Sequence, residues 1–141
     1  TAGDSEMAER IAAHRARRGD GWRLVEAPLD LAGALEAAAR AETAVLIDCL
    51  TLWLSNLMGA GRSVEAETGR LVATLGGVGG LAVLVSNEVG SGIVPDNPLA
   101  RRFADALGVL NQQVAEVAGR VVLVTAGLPL VLKPAATGVA R

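Results

Sequence analysis

The chain predicts an α/β fold: a largely parallel sheet with helices on both faces. Three observations carry that reading. Short aliphatic runs alternate with longer stretches of helical composition, the runs are apolar at nearly every position, and Gly- or Pro-rich breaks separate the two kinds of segment. A strand that is apolar on both sides needs cover on both sides. In order along the chain, Asp4 or Ser5 can cap a first helix, which Gly19-Asp20-Gly21 stops ahead of an extended run from Trp22 to Val25. After a turn at Pro28, Asp30 caps an Ala-rich helix reaching about Arg40, and Thr43 to Cys49 reads as a buried strand with Asp48 near its end. Thr51 is the expected cap of the next helix, which runs through Met58 to a loop over Gly59 to Arg62. Ser63 opens another helix with Glu65 in its first turn, and the Gly76-Gly77-Val78-Gly79-Gly80 run ends it. Leu81 to Val85 is the second strand. A polar loop from Asn87 to Asn97 leads to Pro98, which suits the first turn of a helix reaching about Ala118. Gly119 closes that helix, Arg120 to Thr125 forms a third strand, and Gly127-Leu128-Pro129 turns into an extended tail ending near Lys133.

Composition narrows what such a fold can do. The 141 residues fit one domain, able to bury roughly two thirds of its unfolded surface. With 51% hydrophobic residues but one Phe, two Trp and no Tyr, the core is built from small aliphatic side chains. A net charge of -2 gives no general attraction to nucleic acid, and so few aromatic rings leave little for bases to stack on, so no nucleic-acid partner is expected. One cysteine, Cys49, excludes an internal disulfide, and one histidine beside it makes zinc improbable chemistry; a reducing, cytoplasmic setting fits. The longest apolar stretch, Ala44 to Met58, is interrupted by Asp48, Ser55 and Asn56 and is too short to span a bilayer; no signal peptide is read either.

Parallel sheets bind ligands beyond the carboxyl ends of their strands. Asp48 sits at one such end, Asn87 and Glu88 at a second and Gly127 at a third, so the distinctive polar residues are expected on one edge. An aliphatic strand ending in Asp positions magnesium beside a nucleotide in some folds and is a plain capping acid in others. The only histidine, His14, stands among arginines, with Arg10 and Arg18 four residues either side on the same helical face. Neighbouring cations disfavour imidazolium, which keeps the ring neutral and nucleophilic towards phosphorus, while the guanidiniums could hold a phosphate in line. The same segment also reads as a solvated basic helix with His14 exposed.

Read together, several stretches resemble one family. They are Asp4-x-Glu6-Met7-x-x-Arg10-Ile11-x-x-His14-Arg15-x-x-Arg18 with Trp22 and Glu26; Asp48-Cys49-Leu50-Thr51-Leu52-Trp53-Leu54-Ser55-Asn56-Leu57; and Val85-Ser86-Asn87-Glu88-Val89-Gly90-x-Gly92-Ile93-Val94-Pro95. Leu99-Ala100-Arg101-x-Phe103-x-Asp105-x-x-Gly108-x-x-Asn111-Gln112 and Ala126-Gly127-Leu128-Pro129 with Lys133 continue the match. The resemblance is to the bifunctional adenosylcobinamide kinase and adenosylcobinamide-phosphate guanylyltransferase family of cobalamin synthesis. It implies a P-loop NTPase-like fold, phosphorylation of the adenosylcobinamide hydroxyl, and transfer of GMP from GTP through a histidine-GMP intermediate to give adenosyl-GDP-cobinamide. GTP and ATP are the implied substrates, Mg2+ the implied ion, and a homotrimer with sites near subunit boundaries the implied assembly.

Carried over position by position, the resemblance makes His14 the nucleophile. It puts Arg15, Ala16, Arg17, Arg18, Glu26 and Asp48 at nucleotide-contacting positions, Asp48 also being the candidate magnesium ligand. Glu26 reads equally as an exposed strand-end carboxylate. Asn87 and Glu88 are candidates for substrate or phosphate positioning, and equally residues that fix the loop before Pro98. The family's G-x-x-x-x-G-K-S/T phosphate loop has no counterpart in these 141 residues, whose only lysine is Lys133. The expectation is therefore a single domain over 1–141 without the family's N-terminal strand, phosphate loop and helix. Two alternatives stay open: guanylyl transfer without the kinase step, and a non-catalytic nucleotide-binding or assembly subunit.

Overall fold

The computed structural model describes residues 21–135, and the expected first helix with its capping residues lies outside them. Four helices and four strands follow in the order α1 (Leu31–Ala38), β1 (Ala44–Asp48), α2 (Leu50–Gly59), α3 (Val64–Gly76), β2 (Leu81–Val85), α4 (Pro98–Val117), β3 (Val121–Thr125) and β4 (Leu128–Lys133). Local chemistry sets most helix starts. The Asp30 carboxylate accepts from the Gly33 amide at 3.2 Å, and Ser63 Oγ accepts from the Ala66 amide at 3.3 Å. Asn97 Oδ1 accepts from the Leu99 amide at 2.7 Å ahead of α4, where Pro98 gives up no hydrogen bond by lacking an N–H. The expected extended run from Trp22 to Val25 joins no strand ladder among the described residues.

The strands β1 and β2 pair in parallel from Ala44 opposite Leu81 to Asp48 opposite Val85. Period-two alternation divides their side chains. Val45, Ile47 and Leu84 face a core made by Leu31 and Leu35 of α1, Leu50, Trp53, Leu54 and Leu57 of α2, Leu71 of α3, and Leu107, Leu110 and Val114 of α4. Spacings of three and four in α4 put its contributors on one stripe. The opposite sheet face carries Leu46 and Val83, 46% and 43% exposed against 8% for Ile47. Helices on both faces were expected; among the described residues all four pack on one. The apolar strand sequence would suit cover on either side, so it could not choose.

The chain's end departs from the expectation. The expected tail after Gly127 is a strand, β4, and it pairs antiparallel with β3 in a separate two-stranded sheet, Thr125 opposite Leu128. Ala126 at φ 53° and Gly127 at φ 76° form the two-residue turn, both in the left-handed region that a tight hairpin requires. Lys133 fastens β4 to the end of α4: its ammonium donates to the carbonyls of Ala115 at 3.0 Å and Glu116 at 2.8 Å, which a helix C-terminus leaves unpaired.

Two further contacts hold the helical layer. The Trp53 indole N–H donates to the Leu29 carbonyl at 2.9 Å, so a large buried ring also satisfies its one polar atom. Glu67, 6% exposed, pairs with Arg62 and with Arg70, and Arg70 reaches Asp30 at 3.1 Å to tie α3 to the start of α1. The hydrogen bond that Arg70 donates to Asp30, the Asp30 charge and that of Glu67 hold the Arg70 guanidinium above its ordinary range, so it is cationic wherever the chain is folded. No helix among the described residues is long and apolar enough to cross a membrane.

Candidate active site at the strand ends

The parallel pairing brings the carboxyl ends of β1 and β2 side by side, because Asp48 is level with Val85. Asp48 is exposed at its strand tip, and a cis Asp48–Cys49 peptide leads straight into α2. From β2, Ser86, Asn87 and Glu88 continue past the same edge. Asp48, Asn87 and Glu88 are thus gathered as the sequence anticipated. Gly127 is not part of that gathering by any strand pairing: it closes the β3–β4 hairpin in the other sheet. Glu26 is exposed in the segment ahead of α1, with no hydrogen bond or ion pair to Asp48, Asn87 or Glu88 among the described residues. His14, Arg15, Ala16, Arg17 and Arg18 lie outside the described residues.

A hydrogen-bonded clamp fixes the corner after β2. Thr51 does not cap α2, whose N-cap is Cys49 without a side-chain bond. Its hydroxyl oxygen instead accepts from the Asn87 amide at 3.1 Å and from Asn87 Nδ2 at 2.8 Å. From the other side, Asn111 of α4 donates through Nδ2 to the Asn87 carbonyl and to Glu88 Oε1, both at 3.1 Å, and accepts from Ser86 Oγ at 2.6 Å. Two helices therefore hold three consecutive residues. Sequence reasoning gave Thr51 a different role and Asn111 none. The available signal was position: Asn111 falls four residues after Leu107 and three before Val114, a polar residue on an apolar stripe.

The donors present suit a hard cation that arrives with a nucleotide. Magnesium commonly takes one or two carboxylates and completes its shell with water and substrate phosphates, so the exposed Asp48 is a fitting protein ligand. No group of three or more His, Cys, Asp and Glu side chains among the described residues could hold a metal alone. Beside the site, an apolar groove of 440 Å³ is lined by Val89, Pro95, Leu99 and Phe103 on the loop and helix that follow Glu88.

Comparison with known proteins settles the family. Residues 1–132 match the family described as CobU, cobinamide kinase / cobinamide phosphate guanyltransferase. The chain belongs to this CobU family. It is similar to the bifunctional adenosylcobalamin biosynthesis protein CobP of Pseudomonas aeruginosa, 48% identical over 134 residues that cover 94% of this chain and 78% of that protein. It is also similar to the bifunctional adenosylcobalamin biosynthesis proteins CobU of Escherichia coli K12 and Salmonella typhimurium, 36% and 35% identical over 145 residues covering 92% of this chain and 80% of each. By its description the CobU family is one of enzymes, a kinase and a guanylyltransferase. The matched range runs through every candidate residue, from His14 to Glu88.

Proposed function

We propose that the chain is an adenosylcobinamide kinase and adenosylcobinamide-phosphate guanylyltransferase, using GTP and ATP. What carries the reading is membership of the CobU family across residues 1–132, joined to the acidic and amide groups collected at the carboxyl edge of β1 and β2. In the transfer reaction a His14 ring nitrogen attacks the α-phosphorus of GTP. A P–N bond forms, the bond to the bridging oxygen breaks, and pyrophosphate leaves with the electron pair while the ring gives up its proton. A phosphate oxygen of adenosylcobinamide phosphate then attacks the same phosphorus, the P–N bond breaks, and adenosyl-GDP-cobinamide is released. Arg15, Arg17 and Arg18 would clamp the phosphate charge, with the Ala16 backbone and Glu26 as further nucleotide contacts. Asp48 would hold Mg2+, which when bound neutralises phosphate charge. Asn87 and Glu88 would position substrate.

The finer structural readings belong here too: a P-loop NTPase-like sheet covered on both faces, a homotrimeric assembly and a cytoplasmic location, each in keeping with the family resemblance. The test is chemical. Incubated with α-labelled GTP and magnesium, the chain is expected to take up label in an acid-labile, alkali-stable adduct, and His14→Asn is expected to abolish it. Absence of adduct, or undiminished labelling in His14→Asn, overturns the reading. Supplying adenosylcobinamide and its phosphate separately distinguishes two activities from one: a transferase alone converts only the phosphate.

A further inference from the structure

We infer that Asn111 is a positioning residue that sets the Glu88 carboxylate for a hydrogen-bond donor of the substrate, an inference that rests on the reading of Asn87 and Glu88 given above. Asn111 stands on the stripe of α4 that elsewhere buries Leu107, Leu110 and Val114. An aliphatic side chain there would add to the core without needing partners, whereas a half-buried amide must find them. This one finds all of them in one place. Its oxygen accepts from Ser86, and its Nδ2, which has two hydrogens to give, serves the Asn87 carbonyl and Glu88 Oε1. The three partners are consecutive and form the corner at which the chain leaves β2.

The clamp is two-sided. Thr51, three residues beyond Asp48, holds the Asn87 amide and side chain, so the two strand tips are joined through Asn87 while Asn111 holds the carboxylate next to it. A carboxylate accepts hydrogen bonds and repels phosphate oxygens, so the substrate group that Glu88 orients is a hydrogen-bond donor, an O–H or an N–H. Asn111 takes up Oε1; Oε2 has no hydrogen bond among the described residues. Fixing one oxygen aims the other, because a carboxylate held at one corner of its plane loses most of its rotational freedom.

The test uses Asn111→Asp, which keeps the side chain's size and its acceptor for Ser86 but replaces the donor facing Glu88 and the Asn87 carbonyl with an acceptor, while Thr51 still holds Asn87. Both half-reactions are followed by single turnover in the unaltered chain, in Asn111→Asp, in Glu88→Gln and in the double variant, with circular dichroism to verify folding. Asn111→Asp is expected to slow the half-reaction that Glu88→Gln slows, by about tenfold, with nucleotide KM within about twofold of the unaltered value. The double variant is expected to be no slower than Glu88→Gln alone, since the displaced carboxylate is already gone. Equal fold-losses from Asn111→Asp in both backgrounds, or no loss at all, overturn the inference. Full activity in Glu88→Gln overturns instead the placement of Glu88 at the site. Inactivity of the unaltered chain in both half-reactions overturns the functional reading beneath both.

Discussion

Thr68 is 2% exposed, and its Oγ1 has no hydrogen-bond partner among the described residues. A buried hydroxyl without a partner costs about 1–3 kcal/mol. Thr68→Val keeps the shape and removes the polar atom, so it is expected to stabilise the fold by about 1 kcal/mol, read as a higher urea midpoint at unchanged slope. A lower midpoint would mean that the hydroxyl is bonded in solution. Single side chains also mark where the sequence stopped being legible. Asp30 and Ser63 were readable as caps because a cap bonds to an amide three residues on. Thr51 offered the same local signal and does something else, bonding to Asn87 across 36 positions. Lys133 likewise could not be read as a clasp for α4, since Ala115 and Glu116 become its neighbours only after the hairpin folds back.

At the scale of elements, β2 was readable to the residue and β1 and β3 nearly so, because continuous aliphatic runs leave little choice of period or boundary. The strand β4 was missed as such for two physical reasons. Its turn is Ala-Gly, which lacks the usual Asn-Gly signal although it adopts the same positive φ values, and Pro129 argues against a strand except at an edge, which is where it pairs with Val124. The glycine run before β2 was read as a mere terminator of α3, yet Gly80 has a second duty. A Cβ at that position would collide with the backbone carbonyls of Arg40 and Thr43, where the α1–β1 connection passes the start of β2. Gly80→Ala is therefore expected to cost about 2 kcal/mol by forcing the two backbones apart, whereas Gly79→Ala, with open space around its Cβ, should cost about 0.5 kcal/mol or less. Equal urea midpoints for the two variants would contradict the close approach.

Across the whole molecule, the difference between the two faces of the β1–β2 sheet decides what the fold still has room for. Both strands are apolar throughout, which is why the sequence implied cover on both sides, but in the described residues the helices and their leucines occupy one side only. Ile47 and Leu46 are neighbours on β1 that point to opposite faces, 8% and 46% exposed. If the second face is open in the folded chain, Ile47→Ala should cost about 3 kcal/mol through lost burial and a residual cavity, and Leu46→Ala about 1 kcal/mol or less. Urea denaturation of the two variants measures the difference directly. Losses of equal size would mean that Leu46 is packed as deeply as Ile47 in solution, and that the apolar strand sequence reported its surroundings correctly on both faces. Repeating the pair across protein concentration separates the two sources of such cover: a loss at Leu46 that grows with concentration belongs to another copy of the chain, and one independent of it belongs to the same chain.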